Sequence, residues 1–301
     1  MESLLEVKKL NKKFGKKQVL FDVSFSINEG EILGFIGPNG AGKTTTIKLI
    51  LGLQSIDSGE VFINGFNVKT QFEKAVESVG AIVESPDLYM YLTGKQNLKL
   101  ISNYYKNISN EDIDKIIRLV GLENRINDKV SKYSLGMRQR LGIAASLLHH
   151  PKVLILDEPT NGLDPEGIKE MRELLVKLAK KEKIAILISS HNLSELENFV
   201  TNTCIIQNGK VISTSSIKAL KKLNKSTYKL EVNTTKGVDK LFKDNFNIID
   251  EDSLELYVEK EEITKCIKKL IAHDYEIYQV VSEELSLEDA FMQMTGGNKI
   301  D

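Results

Sequence analysis

Apolar positions fall into three rhythms along the chain. Between residues 3 and 37 they alternate with polar ones. Leu20, Val23, Phe25 and Ile27 predict a strand, Asn28-Glu29-Gly30 a turn, and Ile32-Leu33-Gly34-Phe35-Ile36 a buried strand. A Gly-rich loop then opens a helix expected from about Gly42 to Leu53, and Gly59 to Val68 returns to strand character. Residues 93–150 change to a helical period, with Ile113, Ile116, Ile117 and Val120 at i, i+3, i+4 and i+7. Val153 to Leu156 is the continuous apolar run of a central parallel strand. A helix over 165–181, a strand over 184–189, a short helix over 192–199 and a strand pair around Asn208-Gly209 complete a first domain. The alternation implies an α/β core with an antiparallel layer and a helical insertion.

The remainder has its own order. Strands are expected at Tyr228–Val232, Phe246–Ile249, Leu254–Val258 and Tyr275–Val281, with helices at Val238–Phe242 and 263–272. That β-α-β-β-α-β sequence is the ferredoxin-like pattern. Ile263, Cys266, Ile267, Leu270 and Ile271 form one apolar helix stripe, so Cys266 reads as a small core hydrophobe. Lys-rich residues 218–225 read as a solvated connector, and the boundaries are set at 1–218 and 219–301.

Composition narrows the class. At roughly 100–200 residues per domain, 301 residues suit two domains. With 41% hydrophobic and 28% charged residues, the chain can bury a sizeable core. A net charge of -1, with Arg scarce beside Lys, argues against nucleic acid as a partner. Cys204 and Cys266 stand too far apart for zinc-ligand spacing, and two cysteines make no disulfide scaffold. Met1 to Glu6 show no basic segment leading into an apolar one, so no secretory signal is expected. No apolar run approaches the roughly 20 residues of a membrane span.

Gly37-Pro38-Asn39-Gly40-Ala41-Gly42-Lys43-Thr44 fits G-x-x-x-x-G-K-[ST] between a predicted strand and helix. The glycines let successive backbone N–H groups wrap a triphosphate, and the helix N-terminus adds its dipole. Lys43 would reach the β/γ-phosphates, Thr44 would ligate Mg²⁺ and Thr45 would lie near the α-phosphate. Asp157 and Glu158 end the second buried strand. Strand alternation would send them to opposite sides, Asp157 to the Mg²⁺ shell and Glu158 to the γ-phosphate and its attacking water.

Asp157 to Pro165 (Asp-Glu-Pro-Thr-Asn-Gly-Leu-Asp-Pro) resembles the Walker B and D-loop of an ABC nucleotide-binding subunit. Tyr133-Ser134-Leu135-Gly136-Met137-Arg138-Gln139-Arg140 resembles the ABC signature, and Ile188-Ser189-Ser190-His191 the switch-histidine segment. The resemblance covers about residues 5–215. It implies a RecA-like core, an antiparallel β layer and a helical subdomain, with ATP and Mg²⁺ bound and ATP hydrolysed. It places Phe14 against adenine and His191 at the γ-phosphate. Ser134, Gly136 and Asp164 would act in trans on ATP held by a second copy, in a head-to-tail dimer. A membrane-spanning permease would dock near residues 84–106, holding the subunit at the cytoplasmic face.

Two departures stand out. Leu135 and Met137 replace the signature's usual first glycine and its glutamine, and Glu84 stands where the Q-loop glutamine is common. A carboxylate there can still ligate Mg²⁺ or its water. Glu84-Ser85-Pro86, Leu92-Thr93-Gly94 and Leu287-Glu288-Asp289-Ala290-Phe291 resemble the bacitracin-resistance and lantibiotic-immunity exporters. That branch implies export of an antimicrobial peptide or similar amphipathic compound. The alternatives are a general drug or lipid exporter, or a soluble ABC ATPase acting on ribosomes or DNA. The single P-loop, and only 114 positions (157 minus 43) between Lys43 and Asp157, weigh against the soluble class. The tail's role stays open among regulation, dimerisation and bracing.

Overall fold

The computed structural model describes residues 3–217, 226–242, 245–259 and 261–283. These divide into two compact units, one ending at Ile217 and the other lying within the later residues. The connector 218–225 and the Leu287–Phe291 segment lie outside the described residues.

The first unit begins with two long strands, β1 (Ser3–Phe14) and β2 (Lys17–Asn28), and the short buried β3 (Ile32–Ile36). The P-loop leads into α1 (Lys43–Ile50). Gly52, at φ 66°, turns the chain just past this helix, so it stops short of Leu53. The stretch 59–68 is broken into β4 (Ser58–Ile63) and β5 (Phe66–Asn67) by Asn64-Gly65, both at positive φ, the signature of a tight hairpin. After α2 (Phe72–Val76) comes β6 (Val79–Ile82), a strand not anticipated from its four-residue pattern.

Three helices form the insertion: α3 (Gly94–Ser102), α4 (Asn110–Leu119) and α5 (Leu135–Leu147). Capping boxes Thr93/Gln96 and Ser109/Asp112 start α3 and α4, each satisfying two otherwise orphaned N–H groups. The predicted stripe Ile113, Ile116, Ile117 and Val120 is buried. The core resumes with β7 (Val153–Asp157), α6 (Pro165–Glu182), β8 (Ala185–Ser190), α7 (Leu193–Leu196), β9 (Asn202–Gln207) and β10 (Lys210–Ser216). The helix expected over 192–199 is the single turn α7.

Six strands form one sheet in the order β10-β9-β3-β8-β7-β6, parallel except for β10. Its central strands β3, β7 and β8 are buried at every position, as continuous apolar runs covered on both faces must be. The antiparallel layer β2-β1-β4-β5 shares one core with this sheet and α1, through Leu10, Ile27, Phe35, Ile47, Ile63 and Leu187. The parallel order brings the C-terminal ends of β3, β7 and β8 side by side, the usual ligand edge of an open α/β sheet.

The second unit contains β11 (Ser226–Val232), α8 (Val238–Leu241), β12 (Phe246–Ile248), β13 (Ser253–Val258), α9 (Ile263–Ile271) and β14 (Ile277–Glu283). Its sheet is antiparallel in the order β12-β13-β11-β14. Leu230, Val232, Leu254 and Leu256 meet Val238 and Leu270 in a core of their own. Cys266 packs against it as a partly buried side chain, and burial raises its thiol pKa.

Candidate nucleotide site

Gly37 leaves β3 so close to β9 that a Cβ on it would lie 2.2 Å from the Ile206 carbonyl. The hairpin Asn208-Gly209 braces the loop from behind, with Gly209 N–H donating to Ala41 O at 3.0 Å. A Cβ on Gly209 would stand 2.0 Å from Val19 O. Asn39 and Gly40 are exposed, whereas Gly37 and Ala41 are buried and Pro38, Gly42, Thr44 and Thr45 half-buried. The loop is therefore open at its crest and fixed at its base.

Lys43, only 5% exposed, turns its Nζ back into the loop and donates to Gly37 O at 2.7 Å and Pro38 O at 3.2 Å. It also pairs with Glu158 Oε1 at 3.3 Å. Thr44 Oγ1 donates to Asp157 Oδ2 at 2.8 Å. His191 Nδ1 lies 3.0 Å from Glu158 Oε2. An ionised carboxylate only accepts, so the ring nitrogen carries the proton of that bond. Lys43, Thr44, Asp157, Glu158 and His191 are thus joined in one cluster at the C-terminal ends of β3, β7 and β8.

The reason Asp157 and Glu158 diverge differs from the expected one. The strand ends at Asp157, and Glu158 takes a left-handed backbone at φ 48°. Pleat alternation does not apply past that point; the turn itself aims Glu158 at Lys43 and His191.

Asp157 is also held by Ser189, which donates to its Oδ1 at 2.5 Å and accepts the Glu158 N–H at 2.9 Å. In the sequence Ser189 stands out only as part of the switch segment. Its proximity comes from the parallel register that sets Asp157 beside Ser189. Thr160 and Glu195 form another tie without a sequence signal, at 2.7 Å, and Glu195 Oε1 accepts from Asn192 at 3.2 Å.

Glu84 is not brought to Thr44 and Asp157. It is exposed, at φ 67°, and pairs with Lys48 at 3.0 Å. Thr44 and Lys48 are four residues apart on α1, so Glu84 stands about one helical turn from Thr44. No group of three or more His, Cys, Asp or Glu side chains arranged for a metal occurs among the described residues. The hydroxyl and carboxylate of Thr44 and Asp157 fit Mg²⁺, which takes one or two carboxylates plus phosphates and waters rather than a full protein cage.

Phe14 is 48% exposed at the end of β1, with Lys12 Nζ 5.4 Å from its ring centroid. Ser134 caps α5, accepting from Met137 N–H at 3.2 Å, and Asp164 caps α6, accepting from Gly167 N–H at 2.9 Å. Ser134, Gly136 and Asp164 line one groove of about 430 Å³ that does not include Lys43 or Asp157. In residues 84–106, Tyr89, Tyr91 and Tyr104 are exposed, and buried Asn97 bonds both backbone groups of Tyr89. Leu88, Tyr105 and His149 line a cavity of about 360 Å³ there.

This combination of fold, P-loop and strand-end acids defines a P-loop nucleotide-binding cassette. Residues 20–161 match the family model described as ABC transporter. The uncharacterised ABC transporter ATP-binding protein YhcH of Bacillus subtilis (strain 168) is 43% identical, over 99% of this chain and 98% of its own. The bacitracin transport ATP-binding protein BcrA of Bacillus licheniformis is 38% identical over 100% of both chains. A solved ATP-binding subunit of an ABC transporter matches with a TM-score of 0.65 and 33% identity, over 73% of this chain and 92% of that one. The chain belongs to the ABC transporter ATP-binding proteins, a family of cassettes that bind and hydrolyse ATP. No helix among the described residues is long and apolar enough to cross a membrane.

Proposed function

We propose that this chain is the ATP-hydrolysing subunit of an exporter for an antimicrobial peptide or similar amphipathic compound. Two copies work head to tail at the cytoplasmic face of a membrane, under a separate permease. The observation that carries the reading is the convergence of Lys43, Thr44, Asp157, Glu158 and His191 on one sheet edge. The bacitracin-transport name of a relative aligned along the whole chain supports the substrate class.

On nucleotide arrival Lys43 exchanges the Gly37 and Pro38 carbonyls and Glu158 for the β/γ-phosphates. Exposed loop N–H groups take the phosphate oxygens, and Phe14 stacks on adenine. Thr44 and Asp157 would hold Mg²⁺, which would supply charge to neutralise the phosphates. Glu158, released from Lys43, takes a proton from water as its oxygen attacks the γ-phosphorus and the bond to ADP breaks. His191 steadies Glu158 and meets the γ-phosphate. Ser134, Gly136 and Asp164 serve the nucleotide of the second copy, and positioning with charge neutralisation supplies most of the rate. Glu84 would help to hold Mg²⁺ only if it left Lys48. The exposed tyrosines of residues 84–106 receive the permease, and residues 1–218 and 219–301 act as cassette and accessory domain.

The test is affinity purification of the full chain from gently solubilised membranes. A stoichiometric polytopic membrane protein is expected, and a charge placed at Tyr89 should weaken its recovery. Recovery with ribosomes or DNA alone would overturn the transporter reading.

A further inference from the structure

Ser189 is fully buried on β8, at the register position beside Asp157. One hydroxyl can donate once and accept twice. Here the donor goes to Asp157 Oδ1 at 2.5 Å and one acceptor site to Glu158 N–H at 2.9 Å. The other oxygen of Asp157, Oδ2, is the one facing Thr44 at 2.8 Å. The carboxylate is therefore clamped between two hydroxyls, and a hydroxyl-to-carboxylate bond of this length is strong and directional. The same oxygen also ties down the first residue of the left-handed turn that aims Glu158. The two hydrogen bonds of the Ser189 hydroxyl go to Asp157 and Glu158, not to Lys43 or the loop crest.

We propose that Ser189 is a positioning residue for hydrolysis: it fixes the rotation of the Asp157 carboxylate toward Thr44 and the turn that presents Glu158. The inference rests on the reading of Thr44 and Asp157 as the Mg²⁺ pair. Groups that orient a metal-binding carboxylate typically contribute 10–100-fold in metal affinity or activity. The hydroxyl of a second serine, Ser190, bonds instead to the Asn192 backbone, donating to its carbonyl and accepting from its N–H, and provides the neighbouring contrast.

Two substitutions separate donor from packing. Ser189→Cys keeps roughly the side-chain volume but leaves a weak donor, whereas Ser189→Thr keeps the hydroxyl and adds a buried methyl. Mn²⁺ binding to the full chain is measured by electron paramagnetic resonance with a saturating non-hydrolysable ATP analogue. Nucleotide affinity in EDTA, the ATPase kcat and thermal unfolding are measured alongside. The expected result is Mn²⁺ affinity and kcat lowered roughly tenfold or more in Ser189→Cys and largely retained in Ser189→Thr. Metal-free nucleotide affinity should stay within about twofold in both. A folded Ser189→Thr as defective as Ser189→Cys, or a Ser189→Cys with wild-type Mn²⁺ affinity, would overturn the proposal. Asp157→Asn is the reference. If it too leaves Mn²⁺ binding unchanged, the metal pair itself is wrong; if it weakens binding and Ser189→Cys does not, only the role of Ser189 falls.

Discussion

The cassette buries three charged side chains, Lys12, Lys43 and Asp157, whereas among the described residues of the tail no acidic, basic or histidine side chain is buried. Both units are sheets covered by helices, so architecture does not account for the difference. Buried charge costs several kcal/mol unless it is paired and hydrogen-bonded. Lys12 meets that cost with Asp57 at 3.1 Å and the Ser55 carbonyl at 2.6 Å, and the Lys13 N–H, with the Lys12 ammonium second, holds the Asp57 carboxyl below its ordinary pKa. Lys43 meets it with the Gly37 carbonyl and Glu158, and Asp157 with the Thr44 hydroxyl, the partners that the proposed nucleotide would displace. The tail alternates regularly, with core side chains on one face of β11 and β13 and polar ones on the other. Buried charge concentrated at the strand ends is what sets the cassette edge apart from the tail, and it is where the proposed function places the chemistry.

The largest effect expected from that contrast is at Glu158. Glu158→Gln keeps the shape and removes the proton acceptor, so turnover should fall on the order of 10²–10⁴-fold while ATP binding persists. Radiolabelled phosphate release and equilibrium nucleotide binding separate the two; hydrolysis at the wild-type rate would end the assignment. Gly37→Ala comes next. Its Cβ cannot coexist with the Ile206 carbonyl at 2.2 Å, so the loop base must shift. A displacement near 1 Å can cost on the order of 10²-fold in rate, and ATP affinity should fall with it. On the tail, Leu254→Ala removes a fully buried side chain from its core. A loss of about 2–5 kcal/mol is expected, read by hydrogen exchange confined to residues 226–283. Per-site hydrolysis should be unchanged. A parallel fall in hydrolysis would mean that the tail bears on the site and would break the contrast.

Much of this was legible in the chain because the decisive features are local. The P-loop pattern, the Val153–Leu156 run and the Ile113–Val120 stripe each carry their structure in consecutive or periodic residues. What was not legible depends on strands distant in sequence. The hydroxyl of Ser189 matters only because parallel register sets it beside Asp157, 32 residues earlier. The divergence of Asp157 and Glu158 was expected for a pleat and arises from a positive-φ turn. Glu84 was expected at the metal and pairs with Lys48, since sequence order does not say which turn of α1 faces it. Strand β6 has only four residues, too few for a period to register.

The smallest effect concerns a half-buried ring outside the nucleotide cluster. His149 stacks on Tyr105 with centroids 4.6 Å apart, and its Nε2 lies 2.9 Å from the Val79 carbonyl. Nε2 must then be the donor, which leaves buried Nδ1 without a partner. Burial lowers the pKa of this ring below its ordinary 6.5. A proton added to Nδ1 in the folded chain would find no acceptor, so the unfolded chain binds that proton first. The contribution of His149 is therefore fully present above the unfolded pKa. It is lost progressively as pH falls below about 6.5, and the loss levels off once the folded ring also protonates. Tm measured from pH 7.5 to pH 5.5 should decline for the wild type. His149→Gln can still donate to Val79 O and cannot titrate, so its curve should be flatter across that window. An identical slope in both would show that carboxylates or other groups set the acid sensitivity of the cassette.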